Sequence, residues 1–300
     1  MPSREKAHQR APARFTSICG QGILLVLQLE RALEFNHFVS AYYPDTSYGG
    51  DRLYADMLEQ ATLADRLGYA SVSIPEHHLI NILVVPAPLQ LAVRIAAETN
   101  SIDITTSVAV LPLHDMRMLA GEVAMADILC EGRLKLGVGR GAFAYEMGRM
   151  GVPLESSKEK FNESLTVLRL LLSEEEVSFS GKYYDFEPLT TMPRPLTQPM
   201  PELMIAVMNP EGIYACTKDG LHIQTTPLQG TVEYMLQQVD AFNRGKAARA
   251  DGGGNQILSL LRVGWPALDE KDKTQSITIA VLASGDPLFY GIGRWFGRRL

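Results

Sequence analysis

A chain of 300 residues accommodates two average domains or one closed α/β barrel of roughly 250 residues. Its hydrophobic share of 46% and charged share of 21% belong to a core-forming globular chain and exclude wholesale disorder. Lys and Arg number 28 against 34 Asp and Glu, a net charge of −6, which argues against a nucleic-acid partner but leaves room for a small anion held by one local arginine. Cys19, Cys130 and Cys216 stand far apart with no CxxC, so neither a disulfide framework nor a zinc site is expected, and a reduced, cytoplasmic setting fits. No apolar run approaches the ~18 residues of a membrane helix, so no membrane partner is expected.

In chain order, Arg4, Lys6, Arg10 and Arg14 precede an apolar stretch at 23–27. Gln21, Gln28, Glu30 and Arg31 bracket that stretch too closely for a signal peptide. Residues 1–20 therefore read as a flexible extension and 22–29 as the first strand. Further Val/Ile/Leu-rich runs of strand length stand at 70–74, 102–110, 133–138, 203–207, 221–225 and 257–263. Between the first two strands, Leu53, Met57, Leu58, Ala61, Ala64 and Leu67 form the stripe of a one-sided helix. Residues 87–97 and 118–129 read the same way. Ser156 with Glu159 is a capping-box signature opening a helix that carries Phe161, Leu165, Leu168 and Leu172.

Repeated strand–helix alternation implies a parallel sheet covered by helices, and the absence of a linker favours a (β/α)₈ barrel over two domains. The connection 174–201 breaks the rhythm. It holds a hairpin over 177–186, turning at Ser180-Gly181-Lys182, followed by Pro193, Pro195, Pro199 and Pro201. Such an insertion either shapes an active-site mouth or is a solvated excursion.

Four constellations can carry chemistry. Ile74-Pro75-Glu76-His77-His78 follows the second strand, where C-terminal strand ends of a barrel line the active site. Two imidazoles there suit proton transfer, but no third ligand stands at a convincing metal spacing. Gly137-Val138-Gly139-Arg140-Gly141-Ala142 follows the fourth strand. Its glycines allow close backbone approach to a phosphate, and Arg140 offers a planar fork of donors. As a dinucleotide fingerprint it is misplaced, since that motif belongs to the first βα turn. Asn209-Pro210 is a good N-cap followed by a favoured first helical residue, at a helix start able to hold an anion. Ser107 to His114 close the third strand, with His114 either supporting the site or solvated at the rim.

Together these residues resemble the bacterial luciferase-like flavin-dependent monooxygenases. The likeness runs over roughly 21–265 through Pro75-Glu76-His77-His78, Val110-Leu111-Pro112-Leu113-His114, Gly132-Arg133-Leu134 and Gly137-Val138-Gly139-Arg140-Gly141. It continues through Gly151-Val152-Pro153-Leu154-Glu155, Gly181-Lys182-Tyr183-Tyr184, Pro193-Arg194-Pro195 and Thr225-Thr226-Pro227. The resemblance implies a (β/α)₈ barrel, a homodimer, reduced FMN supplied by a separate flavin reductase, and O₂ as co-substrate for oxidation of an aldehyde-like or other carbonyl compound. It implies His77 as the base or proton donor near the flavin, with the acidic Glu76 beside it. It implies Arg140 on the FMN phosphate, helped by Asn209 and its helix start, and a cis peptide between Ser107 and Val108 beneath the ring. Gly139 stands where light-emitting members carry cysteine, which speaks against bioluminescence. Relatives using the deazaflavin F420 share the fold, but Glu76-His77-His78 fits the FMN branch better.

The C-terminus departs from the pattern. Beyond about residue 265 the usual last units are not recognisable, and 277–293, with Gly285-Asp286-Pro287, resembles a fragment of a tetrapyrrole methyltransferase. The expected organisation is thus an extension at 1–20, a barrel at 21–265 and an atypical tail at 266–300 whose residues 277–282 could supply the eighth strand. A degenerate barrel that binds flavin without catalysis is the alternative this tail raises, because an unpaired strand edge is normally avoided.

Overall fold

Seven short strands, most of them apolar runs too short for a buried helix, line up side by side, and the longer one-sided helices pack against their outer face. The computed structural model describes residues 34–261, apart from 82, 228–230 and 252. The first units are β1 (Asn36–Phe38), α1 (Gly50–Arg66), β2 (Ser71–Ile74) and α2 (Pro88–Glu98). They are followed by β3 (Asp103–Thr106), the short β4 (Ala109–Val110), α3 (Met116–Leu129) and β5 (Leu134–Gly139). After α4 (Ala144–Arg149) and α5 (Leu154–Ser173) comes a hairpin of β6 (Val177–Ser180) and β7 (Asp185–Leu189). The chain resumes the rhythm with β8 (Glu202–Ala206), α6 (Pro210–Lys218), β9 (His222–Thr225), α7 (Val232–Ala247) and β10 (Leu258–Leu260).

The strands pair in parallel in the order β1-β2-β3-β5-β8-β9-β10, with β4 continuing beside β5. This is the barrel-like sheet of the TIM fold. Among the described residues β10 and β1 are not paired with each other, which leaves an open seam. The candidate eighth strand at 277–282, the extension at 1–20 and the tail at 266–300 lie outside the described residues. So does the strand expected at 22–29, and its place beside β2 is taken by Asn36–Phe38, paired Asn36 to Ser71. The sequence does not signal that run, because Asn36-His37-Phe38 holds no aliphatic residue.

The core lies between sheet and helices. Leu53, Met57, Ala61 and Ala64 of α1 are buried, as the stripe requires, and pack in one cluster with Val72, Ile104, Leu136, Leu168 and Leu171. Helix α3 begins two residues earlier than its apolar pattern, because the Asp115 carboxylate accepts the Arg117 N–H at 2.9 Å and caps it. The capping box at Ser156 and Glu159 does not form. Helix α5 starts at Leu154, so Ser156 falls inside its first turn and donates to the Pro153 carbonyl. Glu159 turns outward to Lys182 and Tyr183 instead.

Several residues of the recognised motifs prove to be scaffold. Arg133 donates to the carbonyls of Ala96 and Ile102 and to the Thr99 hydroxyl, closing the end of α2. Arg194 does the same for Leu171 and Leu172 at the end of α5. Glu163 accepts the N–H groups of Lys182, Tyr183 and Tyr184 and so holds the hairpin turn. The proline-rich part of the insertion does not shape the mouth. Buried Asp127, near the end of α3, accepts from Thr197 N–H at 2.7 Å and Thr197 Oγ1 at 2.9 Å, pinning that segment at the foot of the barrel. Only the hairpin turn reaches the opposite rim, where Tyr184 Oη donates to the His114 carbonyl.

Along β5, Leu136 and Val138 face the helices and are fully buried, which turns Gly137 and Gly139 toward the barrel axis. A Cβ on Gly137 would overlap the Thr106 carbonyl oxygen and stand 2.6 Å from Gln224 Nε2. Gly137→Ala is therefore expected to cost about 2–3 kcal/mol of stability in urea unfolding. Gly148→Ala, on an exposed helical position with open space around it, is expected to gain about 0.5–1 kcal/mol.

Candidate active site

The strand ends of β2, β3 and β5 bring the polar residues together. Glu76, the second residue beyond β2, is only 2% exposed. Its Oε1 accepts His78 Nε2 and His114 Nε2, each at 2.7 Å, and its Oε2 accepts the Val110 N–H at 2.8 Å. Burial works to raise this carboxyl pKa, but the hydrogen bonds from His114, His78 and Val110 N–H overcome it and hold the pKa down at about 2. The same contact raises His78, against the opposing effect of burial. Glu76 is thus an anchor and not a free acid facing a reactant: its oxygens are already engaged by donors from two loops. His114, whose sequence position left its role open, is one of those donors.

His77 points the other way. Its Nδ1 lies 3.1 Å from Glu146 Oε2, and its ring meets the Phe143 ring edge-on with centroids 5.0 Å apart. Glu146 is 3% exposed, and its Oε1 accepts the His78 N–H. Phe143 and Glu146 also form part of the wall of a cavity of about 810 Å³, shared with Tyr43, Val84, Tyr145 and Arg149. The residues next to His77 therefore also line this cavity. Glu146 and Phe143 were not anticipated from sequence. The only available signal was an acid set between the apolar Ala144 and Met147 just after the glycine run.

The remaining candidates line the neighbouring strand ends. The Ser107–Val108 peptide is cis, as the resemblance leads one to expect, and the Ser107 N–H donates to the Ile74 carbonyl at 2.6 Å. The Val108 side chain fills the space that a Cβ on Gly139 would need, with Ala206 Cβ 3.5 Å from the same point. These contacts tie the ends of β3, β5 and β8 into one floor. Arg140 follows directly, exposed, with no hydrogen bond or ion pair among the described residues. Val138 pairs with Ile205, so Arg140 leaves β5 beside the segment leading to Asn209. Asn209 caps α6, its Oδ1 accepting the Gly212 N–H at 2.7 Å, and Pro210 occupies the first turn. Gln238 from α7 steadies this edge by donating to the Met208 and Thr226 carbonyls. The candidates thus separate into two groups, an acid–imidazole cluster around His77 and a rim carrying Arg140 and Asn209.

The Glu76 anchor has a defined pH signature. Its folded pKa lies below the ordinary value of 4.5, so its stabilisation is complete above that value and is lost as pH falls toward 2. For His78 the sign reverses: its contribution is present below its ordinary 6.5 and fades as pH rises through its elevated folded value. Glu76→Gln is expected to destabilise the chain by about 2–3 kcal/mol at pH 7. The gap between wild type and variant should close almost entirely between pH 5 and pH 2, read from urea unfolding at each pH.

A family model described as luciferase-like monooxygenase matches residues 33–263. The likeness of 277–293 to a methyltransferase fragment lies beyond that match and gains no support from it. The chain is 29% identical over 267 residues to the oxygenase component of the flavin-dependent trigonelline monooxygenase of Acinetobacter baylyi, covering 88% of this chain and 72% of that protein. Its fold matches the monooxygenase RslO1 of Streptomyces bottropensis with a TM-score of 0.73 at 21% identity, over 83% of this chain and 77% of that one. It also matches the oxygenating constituent of 3,6-diketocamphane monooxygenase from Pseudomonas putida, solved with FMN, with a TM-score of 0.70 at 17% identity over 88% and 75% of the two chains. A match spanning most of the chain, on a barrel whose strand ends gather these residues, makes this protein a member of the luciferase-like monooxygenase family of flavin-dependent enzymes.

Proposed function

We propose that this chain is an oxygenase component that takes reduced FMN from a separate reductase and uses O₂ to oxidise a small carbonyl compound. The observation that carries the reading is the pairing on one rim of Arg140, without a partner among the described residues, with the Asn209-capped start of α6. A planar cation beside a helix N-terminus matches a phosphate monoester in charge and hydrogen bonding. The donor set therefore fits the FMN phosphate. Gln224 adds a second point of fit: its buried Oε1 has no hydrogen-bond partner among the described residues and can receive a ring N–H.

When bound, reduced flavin supplies the electrons that activate O₂. The protein's share is binding, orientation, dryness and protons. Arg140 and the α6 start hold the phosphate. Val108, Gly139 and Ala206 make a close-packed apolar floor, and Phe143 and Val84 keep water from the space beside His77. His77 moves the proton, while Glu76 keeps His78 and His114 in place. Tyr43, Phe143 and Tyr145 give the cavity flat apolar walls suited to an organic substrate. A homodimer would cover the exposed Met118, Met125 and Leu129 on α3.

Fluorescence titration with FMN tests the reading, with F420 as the competing ligand. Arg140→Ala is expected to weaken FMN binding by about 10- to 100-fold, the loss of one charge-assisted contact. His77→Ala is expected to keep FMN affinity and lose most substrate-dependent oxygen uptake in a reductase-coupled assay. Thermal stabilisation by FMN without any oxygen uptake would replace the enzyme by a non-catalytic flavin binder. Tighter saturable binding of F420 than of FMN would overturn the cofactor assignment.

A further inference from the structure

Helix α4 touches three consecutive residues beyond β2. Glu146 Oε2 meets His77 Nδ1, Glu146 Oε1 meets the His78 N–H, and Arg149 Nη1 donates to the Leu79 carbonyl at 3.0 Å. One turn of helix thus splints the segment that carries the proposed base, and both carboxylate oxygens of a buried acid are spent on it. An ionised carboxylate only accepts hydrogen bonds, so the proton in this contact sits on His77 Nδ1. The neutral ring then bears its lone pair on Nε2, which has no hydrogen bond among the described residues.

We propose that Glu146 is the positioning residue that sets the tautomer of His77, fixing Nδ1–H so that Nε2 is the proton acceptor offered to the bound flavin and substrate. The neighbouring imidazoles supply the contrast. His78 and His114 both direct Nε2 at the Glu76 carboxylate, so their protons sit on Nε2 and their bare nitrogen is Nδ1. Three histidines within one cluster are sorted into opposite tautomers by two buried acids, and only His77 presents Nε2 as a base. Phe143 completes the arrangement by closing one edge of the His77 ring at the cavity wall. The catalytic use of Nε2 rests on the function proposed above, whereas the tautomer itself does not.

The test is ¹⁵N NMR of the ring nitrogens in the full chain, at a pH where the imidazoles are neutral. His77 is expected to show a protonated Nδ1 and a bare Nε2, with His78 and His114 showing the reverse. A wild-type His77 protonated on Nε2 overturns the proposal outright, whatever the behaviour of any variant. In Glu146→Gln, His77 should shift toward the Nε2–H form while His78 and His114 keep theirs; an unmoved His77 also overturns it. Stopped-flow reoxidation of protein-bound reduced FMN by O₂ separates the two readings. A change of at least threefold in rate, alike in Glu146→Gln and His77→Gln, supports both. Unchanged rates alongside the expected NMR pattern leave Glu146 as the residue that sets the ring and remove His77 from the proton transfer.

Discussion

A carboxylate taken out of water must be met by protein donors, and Glu76 meets that demand at the point where two strand-end loops converge. Its two oxygens hold His78 from its own loop and His114 and Val110 from beyond β3. The loops cannot drift apart without leaving a buried charge unpaired, a far larger penalty than the loss of a surface ion pair. Because that knot is tied, His77 is pushed outward toward Glu146 and the cavity. The knot is therefore a condition for the site without taking part in its chemistry.

The barrel was legible in the sequence wherever apolar residues come in blocks. The stripes of α1 and α2 and the runs of β2, β5, β8 and β9 all lie within a few residues of where their patterns put them. Legibility fails where structure is made by side-chain hydrogen bonds. Asp115 starts α3 early, Glu159 leaves its expected cap for Lys182, and Asp127 draws the proline segment to the foot of the barrel. Each is a contact between groups whose partnership depends on the folded geometry and which no periodicity reveals. The first strand was missed for a related reason: Asn36–Phe38 has too little aliphatic content to stand out against the greasier run at 22–29.

The site was legible to the same degree. Residues of distinctive chemistry at strand ends, His77, Arg140 and Asn209, could be picked out because imidazoles are few and because an arginine inside a glycine run and an Asn-Pro cap stand out by their local context. Their division of labour could not. Whether Glu76 reacts or anchors depends on what its oxygens touch, and two imidazoles and a backbone N–H decide for anchoring. Glu146 stands 69 positions from His77 and is one acid among many in an acidic chain, so only the fold pairs them. Likewise Gly139 looks like a phosphate-loop glycine, yet its immediate reason is the Val108 side chain that occupies the place of its Cβ.

The central claim is that a flavin phosphate sits between Arg140 and the start of α6, with its ring over the Ser107–Val108 floor. A crystal structure of the chain soaked with FMN tests this most directly. The account predicts density for the phosphate within hydrogen-bond reach of the Arg140 guanidinium and for the ring on the His77 side of that floor. Full-occupancy FMN seated elsewhere, with Arg140 pointing into solvent, would contradict it.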